Sequence, residues 1–152
     1  MNTLARQCQV EDILLDVDIQ NRQQLFRTVA DHLARRHGLP STDIYSRLEE
    51  REKLGSTALG QGVAIPHARI NGIDSPLVVF VRTRLPIPFD APDGKPVGSF
   101  FLLLVPAQAN QAHLQLLADT ASVLCERKVR DALHTATTAL DIRRVLLDWT
   151  QS

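Results

Sequence analysis

A chain of 152 residues with 44% hydrophobic residues can bury one proper core and is too short to divide comfortably into two domains. Its 17 Lys and Arg residues balance 17 Asp and Glu residues, so no net field draws nucleic acid or an anionic membrane towards it. We therefore expect no nucleic-acid partner, and an anionic ligand must be bound by a local arrangement of donors.

The N-terminal sequence MNTLARQCQV lacks the charged region and following apolar run of a signal peptide. No apolar stretch approaches the ~20 residues that span a bilayer. We therefore predict a soluble, cytoplasmic protein that does not insert into membranes. Cys8 and Cys125 stand far apart, outside any CxxC or zinc-ligand spacing, and we expect one solvent-side thiol and one buried side chain.

The first predicted elements are a strand and two helices. Segment 13–15 indicates a short strand. Within 22–37 apolar residues recur every three or four positions, and Gly38 provides a stop, which predicts an amphipathic helix. A hydroxyl residue at 41 or 42 is suited to cap a second helix that runs to about 53. The last turn of this helix contains Arg51.

The middle of the chain favours strands. A short strand is expected at 63–65, and the runs at 77–81 and 100–105 are apolar without alternation, which is typical of central strands covered on both faces. Segment 86–96 contains four prolines and an Asp-Gly pair. We expect a loop or hairpin arm with little regular structure there.

The chain ends in helices. An apolar helical face extends from His113 to Cys125, and further helical patterns lie at 129–133 and 140–149. No repeat, low-complexity tract or linker divides the chain. We therefore predict an α/β fold, a layered sandwich in one domain that spans residues 1–152, with its core at about 10–150.

The segment 51–69 concentrates glycines, hydroxyls, two arginines and a histidine, and is the predicted functional site. Pro66 fixes its own φ at about −65° and favours extended backbone at Ile65, so His67 leaves a short strand in a restricted direction. A neutral imidazole nitrogen can attack phosphorus at physiological pH, because the ordinary pKa of histidine is about 6.5. His67 is therefore the candidate nucleophile.

Other side chains are suited to stabilise a phosphoryl group on His67. The Arg51 guanidinium can donate paired hydrogen bonds to phosphoryl oxygens, and Thr57 or Ser56 can add a hydroxyl donor. Taken singly, these residues also have purely structural interpretations, namely a solvated helix-end cation for Arg51 and a cap-adjacent side chain for His113. The remaining histidines lie in amphipathic helix patterns and are assigned no chemistry: His32, His37 and His134.

Two other functions have to be weighed for this segment. Gly60-x-Gly62 suggests a dinucleotide loop, but Ile65 occupies the position of the third glycine and no Lys-Ser/Thr pair follows. A metal-dependent hydrolase that uses His67 and His113 lacks locally spaced carboxylate or histidine ligands. We expect neither a cofactor nor a metal.

The segment REKLGSTALGQGVAIPHARI resembles the active-site segment of phosphotransferase-system IIA domains of the mannitol/fructose/nitrogen class. The later PIPFDAPDGKPVGSFFLLLVPA and the segment 113–118 are similar to the same class in the same order, so the resemblance covers nearly the whole chain. It implies a mixed β-sheet flanked by helices, a phosphate acceptor at His67, and supporting roles for Arg51 and His113. Ala58 stands where the family usually has glycine, and because alanine tolerates a positive φ poorly, we expect a slight local difference in the loop.

The resemblance also implies a phosphotransferase component with a phosphohistidine intermediate. Its donor would be an HPr-like or NPr-like phosphocarrier protein. Sugar-specific members are often fused to IIB or membrane IIC parts, whereas this chain stands alone, which favours the nitrogen-type branch whose phosphorylation state controls regulatory partners. The alternative is a fructose- or mannitol-specific IIA domain that passes phosphate to a IIB domain during carbohydrate uptake.

Overall fold

Six strands form one mixed β-sheet within residues 3–108 and 110–149, which a computed structural model describes. The strands are β1 (Ile13–Val17), β2 (Ala58–Gly60), β3 (Val63–Ala64), β4 (His67–Ile70), β5 (Leu77–Ile87) and β6 (Val97–Pro106). Their order is β1-β5-β6-β3-β2, and β4 also pairs with β6. β5 pairs with β6 and β2 with β3 in antiparallel fashion, whereas the β1–β5, β3–β6 and β4–β6 pairs are parallel. The predicted central strands are therefore confirmed as β5 and β6.

Helices cover both faces of the sheet. They are α1 (Thr3–Gln7), α2 (Arg22–His37), α3 (Ser41–Lys53), α4 (Gln111–Cys125), α5 (Arg127–Thr135) and α6 (Ala139–Trp149), with a 3₁₀ turn at Val10–Asp12. Asn21 caps α2 by accepting a hydrogen bond from the Gln24 N–H, and Gly38 ends the helix in the left-handed region at φ 68°. The expected hydroxyl cap of α3 is wrong, because Pro40 takes the capping position and the helix begins at Ser41.

The central strands alternate between two hydrophobic cores. One core lies under α2 and α3, where it buries Leu25, Phe26, Leu33, Ile44, Leu48, Val79, Val81, Phe100, Leu102 and Leu104. The other lies under α1, α4, α5 and α6, where it buries Cys8, Val78, Phe80, Phe101, Leu103, Leu116, Leu133, Ile142 and Leu146. Successive residues of β5 and β6 thus point into opposite cores, which is why neither strand shows polar alternation. The layered α/β sandwich is confirmed.

Some boundaries differ from the sequence prediction. β5 continues through Pro86 to Ile87, so strand replaces part of the expected loop, and proline is tolerated because the pairing with β6 shifts between Arg82 and Ile87. The chain then returns to β6 at Val97 as a hairpin, which was one of the two expected forms of this segment, a loop or a hairpin arm. Leu4, Ala5 and Cys8 near the N-terminus are buried in the core that α1 covers. Within the described ranges, no helix is both long enough and apolar enough to cross a membrane.

A break between β3 and β4 places His67. Both strands pair with the same edge of β6, with Ala64 opposite Phe100 and His67 opposite Leu103. The break falls at Ile65 and Pro66, where the Pro66 carbonyl still accepts a hydrogen bond from the Leu103 N–H at 2.9 Å. His67 is therefore the first residue of β4, anchored to the central strand beside it.

Candidate active site

Three of the predicted site residues line one cavity of about 410 Å³. Arg51 reaches it from the last turn of α3, His67 from the start of β4 and His113 from the first turn of α4. The packing of α3 against β4 brings Arg51 and His67 together across sixteen residues of sequence. Thr57 lies outside this cavity.

The two ring nitrogens of His67 have different partners. Nδ1 lies 2.9 Å from the Ile65 carbonyl oxygen. Because a carbonyl can only accept, Nδ1 carries the proton of the neutral ring and Nε2 keeps its lone pair. Burial lowers the pKa of His67, the Ile65 hydrogen bond opposes this, and the positive charge of Arg51 lowers the pKa further. At neutral pH the ring is thus an uncharged imidazole with a nucleophilic Nε2.

Arg51 contacts this same nitrogen. Its Nε donates a hydrogen bond to His67 Nε2 at 3.2 Å, and its Nη1 donates to the Gly55 carbonyl at 2.9 Å. Since a guanidinium can only donate, the contact requires the same tautomer of His67 as the Ile65 carbonyl does. A charged, planar donor is therefore held beside the atom at which an incoming group would bond.

His113 holds the complementary tautomer. The N–H of Asn110 donates to His113 Nδ1 at 3.1 Å, and the Asn110 side chain accepts from the His113 N–H at 3.2 Å. This is a reciprocal helix cap in which histidine takes the place usually held by glutamate or glutamine. A backbone N–H can only donate, so the neutral ring carries its proton on Nε2. His113 is thus both the cap-adjacent residue of the structural interpretation and a residue of the cavity, with a donor at Nε2.

The structure gives Thr57 a role different from the expected one. Its Oγ1 donates to Glu52 Oε1 at 2.9 Å and its N–H donates to Glu52 Oε2 at 2.7 Å. Ser56 is engaged too, because its Oγ donates to the Phe89 carbonyl at 2.8 Å. Both hydroxyl groups thus donate hydrogen bonds that hold the loop after α3 in place. In this arrangement neither hydroxyl donates to a phosphate in the cavity. Burial raises the pKa of Glu52, and the two Thr57 hydrogen bonds oppose that shift.

The glycine pattern and Ala58 are explained by a hairpin. Gly60, Gln61 and Gly62 have φ values of 86°, 58° and 79° and form the turn between β2 and β3. This is a turn requirement rather than a dinucleotide loop. Ala58 lies within β2 opposite Ala64 and does not have a positive φ. The alanine therefore fits its backbone conformation without strain.

The residues around the rim of the cavity had no predicted role. Leu54 and Leu114 are 84% and 53% exposed there. Arg47 precedes Arg51 by one helical turn, and Arg69 follows His67 by two residues on the same face of β4. The sequence signal for these two arginines was their spacing: Arg47 lies one helical turn before Arg51, and Arg69 lies one strand period after His67. The rim combines apolar side chains with cations.

Two of the histidines that were assigned no chemistry take part in a polar cluster. The buried Asp12 carboxylate lies 2.7 Å from His32 Nε2, 3.1 Å from His37 Nε2 and 3.3 Å from Arg36 Nε. These contacts fasten the 3₁₀ turn to α2, so His32 and His37 are structural rather than merely solvated. Among the described residues, no group of three or more His, Cys, Asp or Glu side chains could hold a metal ion.

The three-layer fold is that of a phosphotransferase-system IIA domain. The chain belongs to the family described as "Phosphoenolpyruvate-dependent sugar phosphotransferase system, EIIA 2", whose model matches residues 6–149. The family resemblance of the sequence is thereby confirmed, together with the mixed β-sheet flanked by helices that it implied. The family is a component of a phosphotransferase system, which supports a general transferase role.

Known relatives place the chain within this family. A "Nitrogen regulatory protein" from Pseudomonas aeruginosa is 40% identical over 138 residues, covering 89% of this chain and 88% of the relative. A "PTS system fructose-specific EIIA component" from Haloferax volcanii is 38% identical over 101 residues, covering 66% of each. The crystal structure of the nitrogen regulatory protein IIA-Ntr from Neisseria meningitidis matches with a TM-score of 0.90 at 40% identity, covering 95% of this chain and 99% of that one.

Proposed function

We propose that this protein is a phosphoryl carrier that accepts phosphate on Nε2 of His67 from the phosphohistidine of an HPr-like or NPr-like protein. The observation that carries the proposal is the contact between Arg51 Nε and the unprotonated Nε2 of His67, in a chain of the IIA family. The nucleophilic nitrogen, its tautomer and an adjacent guanidinium are the parts that transfer between two imidazoles requires.

The proposed step needs no base and no metal. The lone pair of His67 Nε2 forms the new N–P bond as the bond to the donor imidazole breaks, and the Nδ1 proton stays on the ring, bonded to Ile65. Arg51 Nε then turns from Nε2 to a phosphoryl oxygen, while Nη1 remains on the Gly55 carbonyl. His113, protonated at Nε2, supplies a further donor. Alignment and charge stabilisation account for the catalysis.

We further propose that the phosphorylation state selects regulatory partners. The relatives named nitrogen regulatory protein favour this output. Phosphorylation adds roughly −1.5 to −2 charges at neutral pH. That charge would appear inside a rim that carries exposed Leu54 and Leu114, so a partner that fits one form is poorly matched to the other.

A second candidate is the transfer of the phosphoryl group to a IIB domain during sugar uptake. The fructose-specific relative favours it. Both candidates use His67, and they differ in the protein that reads or removes the phosphate. A purified fructose-type IIB domain that rapidly removes phosphate from the loaded protein would decide for the second candidate.

The class is tested by incubation with phosphoenolpyruvate, the first-stage phosphotransferase enzyme and an HPr-like carrier, followed by intact-mass measurement. We expect one added phosphate on the wild type and none when the carrier is omitted. The Arg69→Ala variant serves as a control for the surface, and His67→Ala for the site. A wild-type protein that stays unmodified with a carrier that is itself loaded would contradict the proposal.

A further inference from the structure

Hydrogen bonds that alternate with the backbone of Thr57 and Ile65 connect Nδ1 of His67 to a buried carboxylate. The Glu52 carboxylate accepts the N–H and the hydroxyl of Thr57. The Thr57 carbonyl accepts the Ile65 N–H at 3.1 Å, and the Ile65 carbonyl accepts Nδ1 of His67 at 2.9 Å. From His67 Nε2 the path returns by the hydrogen bond to Arg51 and then by the covalent backbone from Arg51 to Glu52 in α3. The result is a closed circuit around the imidazole.

Glu52 and Thr57 take part in this circuit from outside the cavity. Each is only 7% exposed, and the residues that line the cavity do not include them. They therefore cannot contact a phosphoryl group on His67 directly. Their effect on that ring passes through the backbone of the loop, whose Gly55 carbonyl also holds Arg51.

A buried carboxylate is a costly way to close a loop. Removing an ionised group from water is unfavourable unless hydrogen bonds compensate for the loss. Burial accordingly raises the pKa of Glu52, while the Thr57 N–H and hydroxyl and the charges of Arg51 and Arg22 lower it. What the carboxylate supplies that an apolar side chain would not is a two-point grip on Thr57, one oxygen for each donor.

We propose that Glu52 and Thr57 are positioning residues of the phosphoryl-transfer site, which fix the tautomer and orientation of His67 through the Thr57–Ile65 backbone contact. The role in transfer rests on the proposed function, whereas the control of the tautomer does not. If the grip on Thr57 is lost, the Ile65 carbonyl is free to move away from Nδ1. Only the Arg51 contact then holds the ring, and whenever that contact opens the ring can rotate or carry its proton on Nε2, where the proton blocks attack.

Four substitutions separate positioning from stability. Glu52→Ala removes both acceptors, and Thr57→Val removes the hydroxyl at nearly constant shape. Glu52→Gln and Thr57→Ser are the matching conservative substitutions. The glutamine amide can accept a hydrogen bond from the Thr57 N–H and donate one to the Thr57 hydroxyl, and serine keeps the hydroxyl of threonine. Glu49→Ala is the matched control, since Glu49 is another buried carboxylate of α3 but pairs with Arg22, at 2.7 Å.

The first measurement is the ¹⁵N chemical shifts of the His67 imidazole in the unphosphorylated full-length protein, assigned by comparison with His67→Ala. The second is the single-turnover rate of transfer from a phosphorylated HPr-like carrier. We expect Glu52→Ala and Thr57→Val to lose the pure Nδ1–H signature and to transfer about tenfold to a hundredfold more slowly, as a misplaced reacting group does. Glu52→Gln, Thr57→Ser and Glu49→Ala should keep the wild-type signature.

An unchanged His67 signature in a folded Glu52→Ala or Thr57→Val protein would overturn the proposal. So would the same change of signature in Glu49→Ala, because the effect would then follow from general loosening. If Glu52→Ala does not fold, Thr57→Val and its Thr57→Ser rescue decide the matter. A wild type that never accepts phosphate would remove the proposed function and the role in transfer, while the ¹⁵N comparison would still decide the control of the tautomer.

Discussion

Arg51 Nε and His67 Nε2 lie 3.2 Å apart, with the donor on the arginine and the lone pair on the histidine. The hydrogen bond holds the histidine in its reactive tautomer but also occupies the lone pair. Attack on phosphorus therefore requires the guanidinium to swing aside, and Nη1 on the Gly55 carbonyl gives it a fixed pivot. In the proposed reaction, Arg51 thus occupies the lone pair of the unphosphorylated histidine and stabilises the phosphorylated one.

We expect His67→Ala to remain folded and to accept no phosphate. The substitution removes the nucleophilic nitrogen from a half-buried position at a strand end, and losing two hydrogen bonds costs about 1–3 kcal/mol. Intact mass after incubation with the loaded carrier measures the first outcome and thermal unfolding the second. A phosphate that still arrives on the variant would move the acceptor to another residue.

Arg51→Ala should slow phosphoryl transfer by about 10²- to 10³-fold, the loss that follows removal of a preorganised electrostatic donor. Arg69→Ala is the matched control, because Arg69 is an exposed arginine that lines the same cavity, and among the described residues no hydrogen bond joins it to the His67 ring. Arg51→Lys should fall between them, since lysine keeps the charge but not the planar fork. Similar rates for Arg51→Ala and Arg69→Ala would contradict the assignment.

The site was predictable wherever local rules decide the geometry. Pro66 predicted that His67 would leave the preceding strand in a restricted direction, and the helical period predicted that Arg51 lies in the last turn of α3. The partner of Thr57 was not predictable, because a threonine five residues after a glutamate, with a loop between them, has many acceptors within reach. The His113 cap left a signal in Asn110, three residues earlier, but histidine is not the usual side chain of that motif.

The strand ends were less predictable than the strand centres for a related reason. Residues 78–81 are all apolar, so their own sequence predicts a strand that is buried on both faces. The extension of β5 to Ile87 depends instead on pairing with Val97 across a hairpin. Proline composition alone indicates a loop there. The shift of register that accommodates Pro86 is a property of the pair of strands, and the sequence of one strand does not contain it.

His67 should titrate below its ordinary pKa of 6.5, because burial and Arg51 both disfavour the charged ring. The unfolded chain then binds this proton more readily than the folded protein, so the stabilising contribution is present above 6.5 and is lost as the pH falls through the window below it. An NMR titration of the His67 ring measures the midpoint. Arg51→Gln should raise the midpoint towards 6.5, and a wild-type midpoint at or above 6.5 would contradict the environment described for the ring.

Glu52 should show the opposite dependence. Burial raises its pKa above the ordinary 4.5, so the wild type loses stability as the pH rises from 4.5 through the folded pKa. Glu52→Gln removes this titration, and its free energy of unfolding relative to the wild type should therefore increase with pH across that window and then level off. Urea unfolding at a series of pH values measures the difference. A difference that is flat, or that falls with pH, would show that the folded pKa is not raised.

Phosphorylation of His67 should act as a partner switch. The added group brings roughly −1.5 to −2 charges to the cavity, and a partner that leaves part of this charge unpaired loses about 1–3 kcal/mol, or about tenfold to a hundredfold in affinity. Phosphorylated and unphosphorylated protein serve as paired baits in one lysate, with His67→Ala as the form that cannot switch. We expect at least one partner to bind a single form, and His67→Ala to retain partners of the unmodified form. Equal capture by both forms, together with rapid loss of phosphate to a purified IIB domain, would replace regulation by sugar transport.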